Sequence, residues 1–329
     1  MSVTLAFIGD VMLGRGINDV VAYRPAEWFW GDTLPILRSS AAVLTNLECP
    51  ITQRSAPWRE TPKAFHFRAD PAAVAVLNTA NVRFVSLANN HALDFQEQGL
   101  LDTVRHLDEA GVYHSGAGSN LEEAAAPALF DVGHDLKIGV ISFTDNEPAF
   151  AARSDRPGTN YVEISQDPVT LRRLSEAISR AREGGAGVVV LSLHWGPNMI
   201  MRPSDLHRSF GAAAVDLGAD IIYGHSAHVF QGTQVHNSRL IMYDAGNFLD
   251  DYAADPDLRN DWSFIFLVEI DSEGPRLLRM VPVRLRYARV DLAKGEEFFE
   301  IRKRMRRLCE ELGTAAVDRP EGLEVRLRE

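Results

Sequence analysis

The chain has 329 residues, of which 46% are hydrophobic and 24% charged, with a formal net charge of -11. That is enough apolar matter for one large domain, with or without an appendage, and an ordinary charge content for a globular protein. The acidic balance provides no basic stripe for a nucleic-acid partner. It leaves anionic substrates open, because bound cations can dominate the field of a site.

In chain order, Val3 to Ile8 predicts a buried strand that stops at Gly9-Asp10. This apolar run is too short for a signal peptide or a membrane span, so no integral membrane segment is expected. Ala42 to Thr45 predicts a second strand, running into Asn46-Leu47-Glu48. Lys63 to Arg68 alternates aromatic with polar residues and reads as an edge strand near the site. Pro71 to Asn78 predicts a short helix with Asp70 as its N-cap. Val82 to Leu87 is the next strand, leading into Ala88-Asn89-Asn90-His91. Glu97 to Ala110 then predicts an amphipathic helix stopped by Gly111.

Lys137 to Phe143 predicts a strand, and Asp145 to Gln166 a long loop of the kind that carries function. A helix over Pro168 to Glu183 precedes the strand Val188 to Leu193, which ends at His194. Ser204 caps a helix over Asp205 to Leu217. The strand Asp220 to Tyr223 leads to Gly224-His225, and Leu240 to Tyr243 leads to Asp244-Ala245-Gly246-Asn247. Trp262 to Ile270 and Arg276 to Arg286 read as antiparallel strands around Ser272-Glu273-Gly274. A helix over Glu296 to Leu312, a loop over Thr314 to Gly322 and a strand over Leu323 to Leu327 complete the chain. Strand–helix alternation of this kind predicts an α/β protein. With two distant cysteines, Cys49 and Cys309, no disulfide framework is expected, and a reducing cytoplasm fits.

The polar residues carry the functional signal. Open α/β sheets bind ligands at the carboxyl ends of their strands. Asp10, Glu48, Asn90, His91, His194 and His225 all follow apolar strands closely, and His228 lies three residues after His225. Carboxylate, amide oxygen and imidazole donors together suit a divalent Mn, Fe or Zn ion. Six such donors, Asp10, Glu48, Asn90, His194, His225 and His228, exceed one tetrahedral set and suit one or two ions. His91 is placed to exchange a proton with a leaving group, alongside Asp10 and Arg15 as catalytic candidates. Arg15, Lys63, His66 and Arg68 are the candidates for substrate contact, Arg15 because a guanidinium binds carboxylate or phosphate with two bonds. The glycines around Arg15 form no Walker loop, because no Gly-Lys-Ser/Thr follows them. Each residue also has a plainer reading: Asn90 as a turn residue, His194 as a structural histidine, Asp250 and Asp251 as loop acids.

Six segments together resemble the bacterial capsule-synthesis, CapA-type (poly-γ-glutamate biosynthesis) family of the calcineurin-like metallophosphoesterase superfamily. They are Gly9 to Arg15, Asn46 to Glu48, Ala88 to Asp94, Leu193 to Gly196, Gly224 to Val229 and Gly246 to Phe248. The resemblance implies a four-layer α/β/β/α sandwich with a dinuclear centre. It implies Asp10 and His228 on one ion, Asn90, His194 and His225 on the other, Glu48 in the bridging place, and His91 as an outer acid. Three positions depart from the superfamily's pattern. Met12 stands where a histidine is usual, Glu48 replaces a bridging aspartate, and the last His-x-His is stretched to His225-x-x-His228.

The functional expectation is a metal-dependent hydrolase acting on a phosphoester or on an amide-linked polymer or peptide. The alternatives are a metal-dependent peptide epimerase and a non-catalytic component of capsule assembly. Residues 1–287 are expected to form the metallophosphoesterase-like domain and 288–329 a helical appendage packed on it. The partner is expected to be a small-molecule, peptide or polymer substrate, and the sequence leaves the oligomeric state open.

Overall fold

The structure, a computed structural model, describes residues 2–328. Its mixed α/β architecture is built on two large sheets. The first has ten strands. At its heart Val3–Val11, Ala42–Leu47, Val82–Ser86 and Tyr113–Ser115 run parallel, and Asn247–Leu249 pairs parallel with the end of Val3–Val11. Trp262–Asp271 and Gly274–Arg286 extend the sheet antiparallel from Val3–Val11. The second sheet has six strands. Its parallel centre is Lys137–Thr144, Val188–His194, Ile221–His225 and Arg239–Met242.

Parallel strands covered on both faces read as unbroken apolar runs, which is why these segments lack clean alternation. Their side chains nevertheless divide by parity. Leu5 and Phe7 pack with Val188, Val190, Ile221 and Tyr223 in the core between the sheets. Ala6 and Ile8 face the opposite way, toward Leu37, Leu77, Leu100 and Leu107 of the helices on the first sheet. Val189, Leu191 and Ile222 likewise meet Leu174, Ile178 and Phe210 of the helices on the second. Each such side chain, fully buried, contributes roughly 1.5–3 kcal/mol relative to exposure.

The helices over Gln96–Glu109, Pro168–Glu183 and Asp205–Asp216 lie where the periodicity puts them. Ser204 caps the last by accepting from the His207 amide. Asp70 makes no side-chain cap, because its carboxylate accepts from Asn18 instead. Lys63 to Arg68 is not a strand, and only Ala69 bridges, to Ile51. The tail beyond Tyr287 carries the helix that its amphipathic run predicts, together with short strands. The Gly295–Glu311 helix seats Ile301, Met305 and Leu308 in the inter-sheet core, while Arg289–Leu292, Val317–Arg319 and Gly322–Arg326 join the first sheet.

The consequence for function is that the carboxyl ends of both parallel sets meet at one edge. The Tyr223 hydroxyl, from the second sheet, donates to the Ile8 carbonyl of the first. Asn46, at the end of one first-sheet strand, reaches His194, at the end of a second-sheet strand.

Candidate metal centre

Asp10 stands near the end of Val3–Val11, where the strand register shifts. Gly9 precedes it of necessity, since a Cβ there would lie 2.0 Å from the Gly246 carbonyl oxygen. His194 and His225 close neighbouring strands of the second sheet and pair in register. Gly224 serves the same end, because a Cβ would meet the Tyr243 carbonyl oxygen at 1.9 Å. After His225 the chain turns sharply, with Ser226 at φ 115° and His228 at φ 60°, conformations that non-glycine residues hold only when their surroundings fix them. Asp244 provides that fixing: its carboxylate accepts from the Ala227 amide at 2.8 Å and from the Gly246 amide at 2.7 Å.

These elements bring together two overlapping groups of donors, Asp10 with His194 and His225, and Asp10 with Glu48 and His228. In the first, the Nδ1 atoms of His194 and His225 face each other at 2.9 Å, and Asp10 Oδ1 lies 3.9 Å from His225 Nδ1. Ser192 Oγ sits 2.9 Å from His225 Nε2, so a proton on that nitrogen leaves the Nδ1 lone pair free to face a cation. In the second group, His228 Nδ1 is 3.4 Å from Asp10 Oδ2 and its Nε2 is 3.7 Å from Glu48 Oε1. The carboxylate common to both groups is Asp10.

Electrostatics distinguish the members. Burial pushes Asp10 up, but the close approach of His228 and the neighbouring imidazoles outweighs burial and brings it to about 2. Burial raises Glu48 to about 8. Burial also opposes charge on His228, yet Glu48 and Asp10 overcome it and raise His228 to about 10. His225 falls to about 4 and His194 well below its ordinary value, chiefly through burial.

The donor set fits a divalent cation. Asp10 Oδ2, Glu48 Oε1 and Asn90 Oδ1 are all buried without a hydrogen-bond partner. A buried polar group left unpaired costs about 1–3 kcal/mol, more when charged, so the unpaired oxygens of Asp10 and Glu48, which share one donor group, call for an electrophile. Imidazole, carboxylate and amide oxygen are donors that Mn, Fe and Zn share.

His91 is buried and belongs to neither donor group. Its Nδ1 is 2.6 Å from Asp94 and its ring stacks on Phe67 at 4.1 Å between centroids. Asp94 also accepts from the Phe67 amide at 2.6 Å, which locks ring and partner together. Burial lowers the pKa of His91, and the Asp94 charge only partly offsets it.

The four substrate-contact candidates separate. Arg15 keeps a part-exposed guanidinium over Phe67 and Tyr252, with Asp251 3.4 Å away. Lys63 is buried and donates to the Asn90 carbonyl at 2.6 Å, with Asp94 and Glu147 nearby. Lys63 thus holds the Asn90 turn from behind. His66 contacts the Trp58 carbonyl and Arg68 donates to the Arg54 carbonyl.

Several residues of the site escape a sequence reading. Asn46 donates to Asp10 Oδ1 at 2.8 Å and is itself held by Asn89. Asn247 Oδ1 lies 2.8 Å from His228 Nδ1, and the Tyr252 hydroxyl reaches Glu48 Oε2 at 3.4 Å. Asn46 and Asn247 follow strand-like runs and share the strand-end signal, whereas Tyr252 carries none. Met12 is fully buried and its sulfur accepts from the Gly14 amide.

Comparison with known proteins assigns the family. The family model described as "Bacterial capsule synthesis protein PGA_cap" matches residues 4–252. The chain belongs to this family. The PGA_cap family is metallophosphoesterase-like, and the matched span contains every donor named above. Relatives include a "Probable polyglutamine synthesis accessory protein" of Mycobacterium tuberculosis, 30% identical over 98% of this chain and 95% of that one. The "PGA biosynthesis protein CapA" of Bacillus subtilis is 32% identical over 75% of this chain and 63% of its own length. The "Capsule biosynthesis protein CapA" of Bacillus anthracis is 30% identical over 86% and 67%. Among solved structures, a sulfate thiohydrolase SoxB of Thermus thermophilus overlays with a TM-score of 0.42 at 15% identity, covering 92% of this chain and 46% of that one. Among the described residues, no helix is long and apolar enough to cross a membrane.

Proposed function

We propose that the chain is a metal-dependent hydrolase acting on a phosphoester or on an amide-linked substrate, such as a glutamate polymer or a peptide, and that it serves polymer or capsule synthesis. The observation that carries this reading is the convergence of Asp10, Glu48, His194, His225 and His228, with unpaired buried oxygens, at the meeting edge of two sheets. Asp10, His194 and His225 would hold one cation, with Asn90 completing its set. Asp10, Glu48 and His228 would hold a second. When bound, a divalent cation supplies Lewis acidity toward the scissile group and makes water a nucleophile near neutral pH.

The remaining work belongs to the chain's own side chains. The Asp94 carboxylate keeps a proton on His91 Nδ1, which leaves Nε2 to exchange a proton with the leaving atom. Arg15 would bind the substrate's anionic group at the rim, and the buried Lys63 keeps the Asn90 turn in place. Four-layer α/β/β/α order is part of the same reading, supported by three separate apolar cores. So is a functional unit over residues 1–287 with 288–329 as its support. A cytoplasmic setting is included because both cysteines are free and buried.

A second reading, an accessory component without catalysis, is favoured by the word "accessory" in the name of the mycobacterial relative. Elemental analysis of protein purified without chelator, followed by hydrolysis assays with that metal on phosphodiesters and γ-linked glutamate oligomers, separates the two. Metal with turnover supports the hydrolase. Metal without turnover on either class favours the accessory role. Full metal content in a His225→Ala variant overturns the site assignment itself.

A further inference from the structure

Away from the metal centre, the Leu121–Ala124 helix, the Pro168–Glu183 helix and the loop through Ser154 and Asn160 line a half-open cavity of about 490 Å3. That volume lies in the range of small-ligand sites. One wall is apolar, formed by Leu121 and Phe143, and the other carries Arg173 and Arg180. The two arginines are seven residues apart on one helix, about two turns, and so share a face.

These guanidiniums differ from most others in the molecule. Arg156 is bound by Glu60 and Glu97, Arg259 by Asp261 and Glu297, Arg202 by Glu311 and Arg289 by Asp291. Among the described residues, neither Arg173 nor Arg180 forms a salt bridge, although Glu176 lies between them on the same helix. Asn160 supplies the reason for Arg173. Its side chain is fully buried, anchored by donating to the Ser142 carbonyl at 2.9 Å, and its oxygen accepts from Arg173 at 3.2 Å. The guanidinium is thus held against the cavity wall. Burial and the charge of Arg180 both lower the pKa of Arg173, a cost that a bound anion would remove.

We propose that this cavity is a second ligand site, taking a small molecule whose carboxylate or phosphate is bound by Arg173 and Arg180. Glu122 and Glu176 line the same cavity and limit the class. A long polyanion would be repelled, whereas a small mono- or dianion, or a zwitterion with its amine toward the glutamates, is accommodated.

Calorimetry on the full chain with L-glutamate, O-phosphoserine and inorganic phosphate tests the site and separates a carboxylate from a phosphate ligand. At least one probe is expected to bind with millimolar or tighter Kd. Arg173→Gln should weaken it by about tenfold or more, the effect of losing a charge-assisted hydrogen bond. His225→Ala should leave it unchanged, because the metal centre takes no part. Lack of saturable binding by all three probes overturns the proposal, as does undiminished binding in Arg173→Gln. Binding lost in His225→Ala places the probe at the metal centre and overturns it too. Should circular dichroism show Arg173→Gln unfolded, Arg180→Gln on the exposed end of the same wall gives the deciding measurement.

Discussion

The two donor groups share Asp10 and little else. The Asp10, His194 and His225 group is wholly buried, and both imidazoles stand at the ends of paired strands. In the Asp10, Glu48 and His228 group the last two stand on loops, and His228 is held by a left-handed backbone, the Asp244-braced turn and the bond to Asn247. In the first group burial leaves both histidines uncharged, ready to ligate. In the second, the same carboxylates that would bind a cation already favour a proton on His228. A preorganised neutral pocket binds metal directly, while a proton-filled one binds only by exchange. The comparison therefore predicts one firm site and one weaker, pH-dependent site.

Removing a ligand from the firm group breaks this comparison most severely. His225→Ala and His194→Ala should each lose metal by more than about 100-fold in affinity, beyond the effect typical of outer partners, read by elemental analysis after dialysis. Next comes His91→Gln, which should lower kcat by about 100-fold or more with metal content unchanged, as expected for a proton-transfer group outside the ligand set. If metal falls with activity, His91 belongs to the ligands.

The weaker group should respond to pH. Burial raises Glu48 and the neighbouring carboxylates raise His228, so this pair retains a proton that a cation must displace. Occupancy of the second ion should therefore rise between about pH 6 and about pH 9, with proton release on binding. Occupancy that is flat over that range would make the two groups equivalent. The smallest effect is expected from Tyr252→Phe, which removes one long bond to Glu48. It should weaken the second ion by about tenfold, the low end for an outer partner, and leave the first unaffected.

How far the sequence reaches is seen in particular residues. Val188 to Leu193 and Ile221 to Tyr223 are apolar enough to be strands in any reading, and His194 and His225 follow from their ends. Lys63 to Arg68 misleads because alternation marks a strand only where a neighbour offers a hydrogen-bonding edge. Here the residues are claimed singly, Phe67 by His91 and Asp94, Arg68 by Arg54. Asp70 has the chemistry of a cap, but Asn18, distant in sequence, takes its carboxylate.

The sequence by itself determined the α/β class, most of the central strands and the types of donor at their ends, because burial periodicity and side-chain chemistry are local properties. Only the tertiary structure decided that the two parallel sets end at one edge, that Asp10 is shared by both donor groups, and that Asn46, Asn247 and Tyr252 support them. Those are facts about which distant strands lie side by side, and such pairings are fixed by packing of the whole chain.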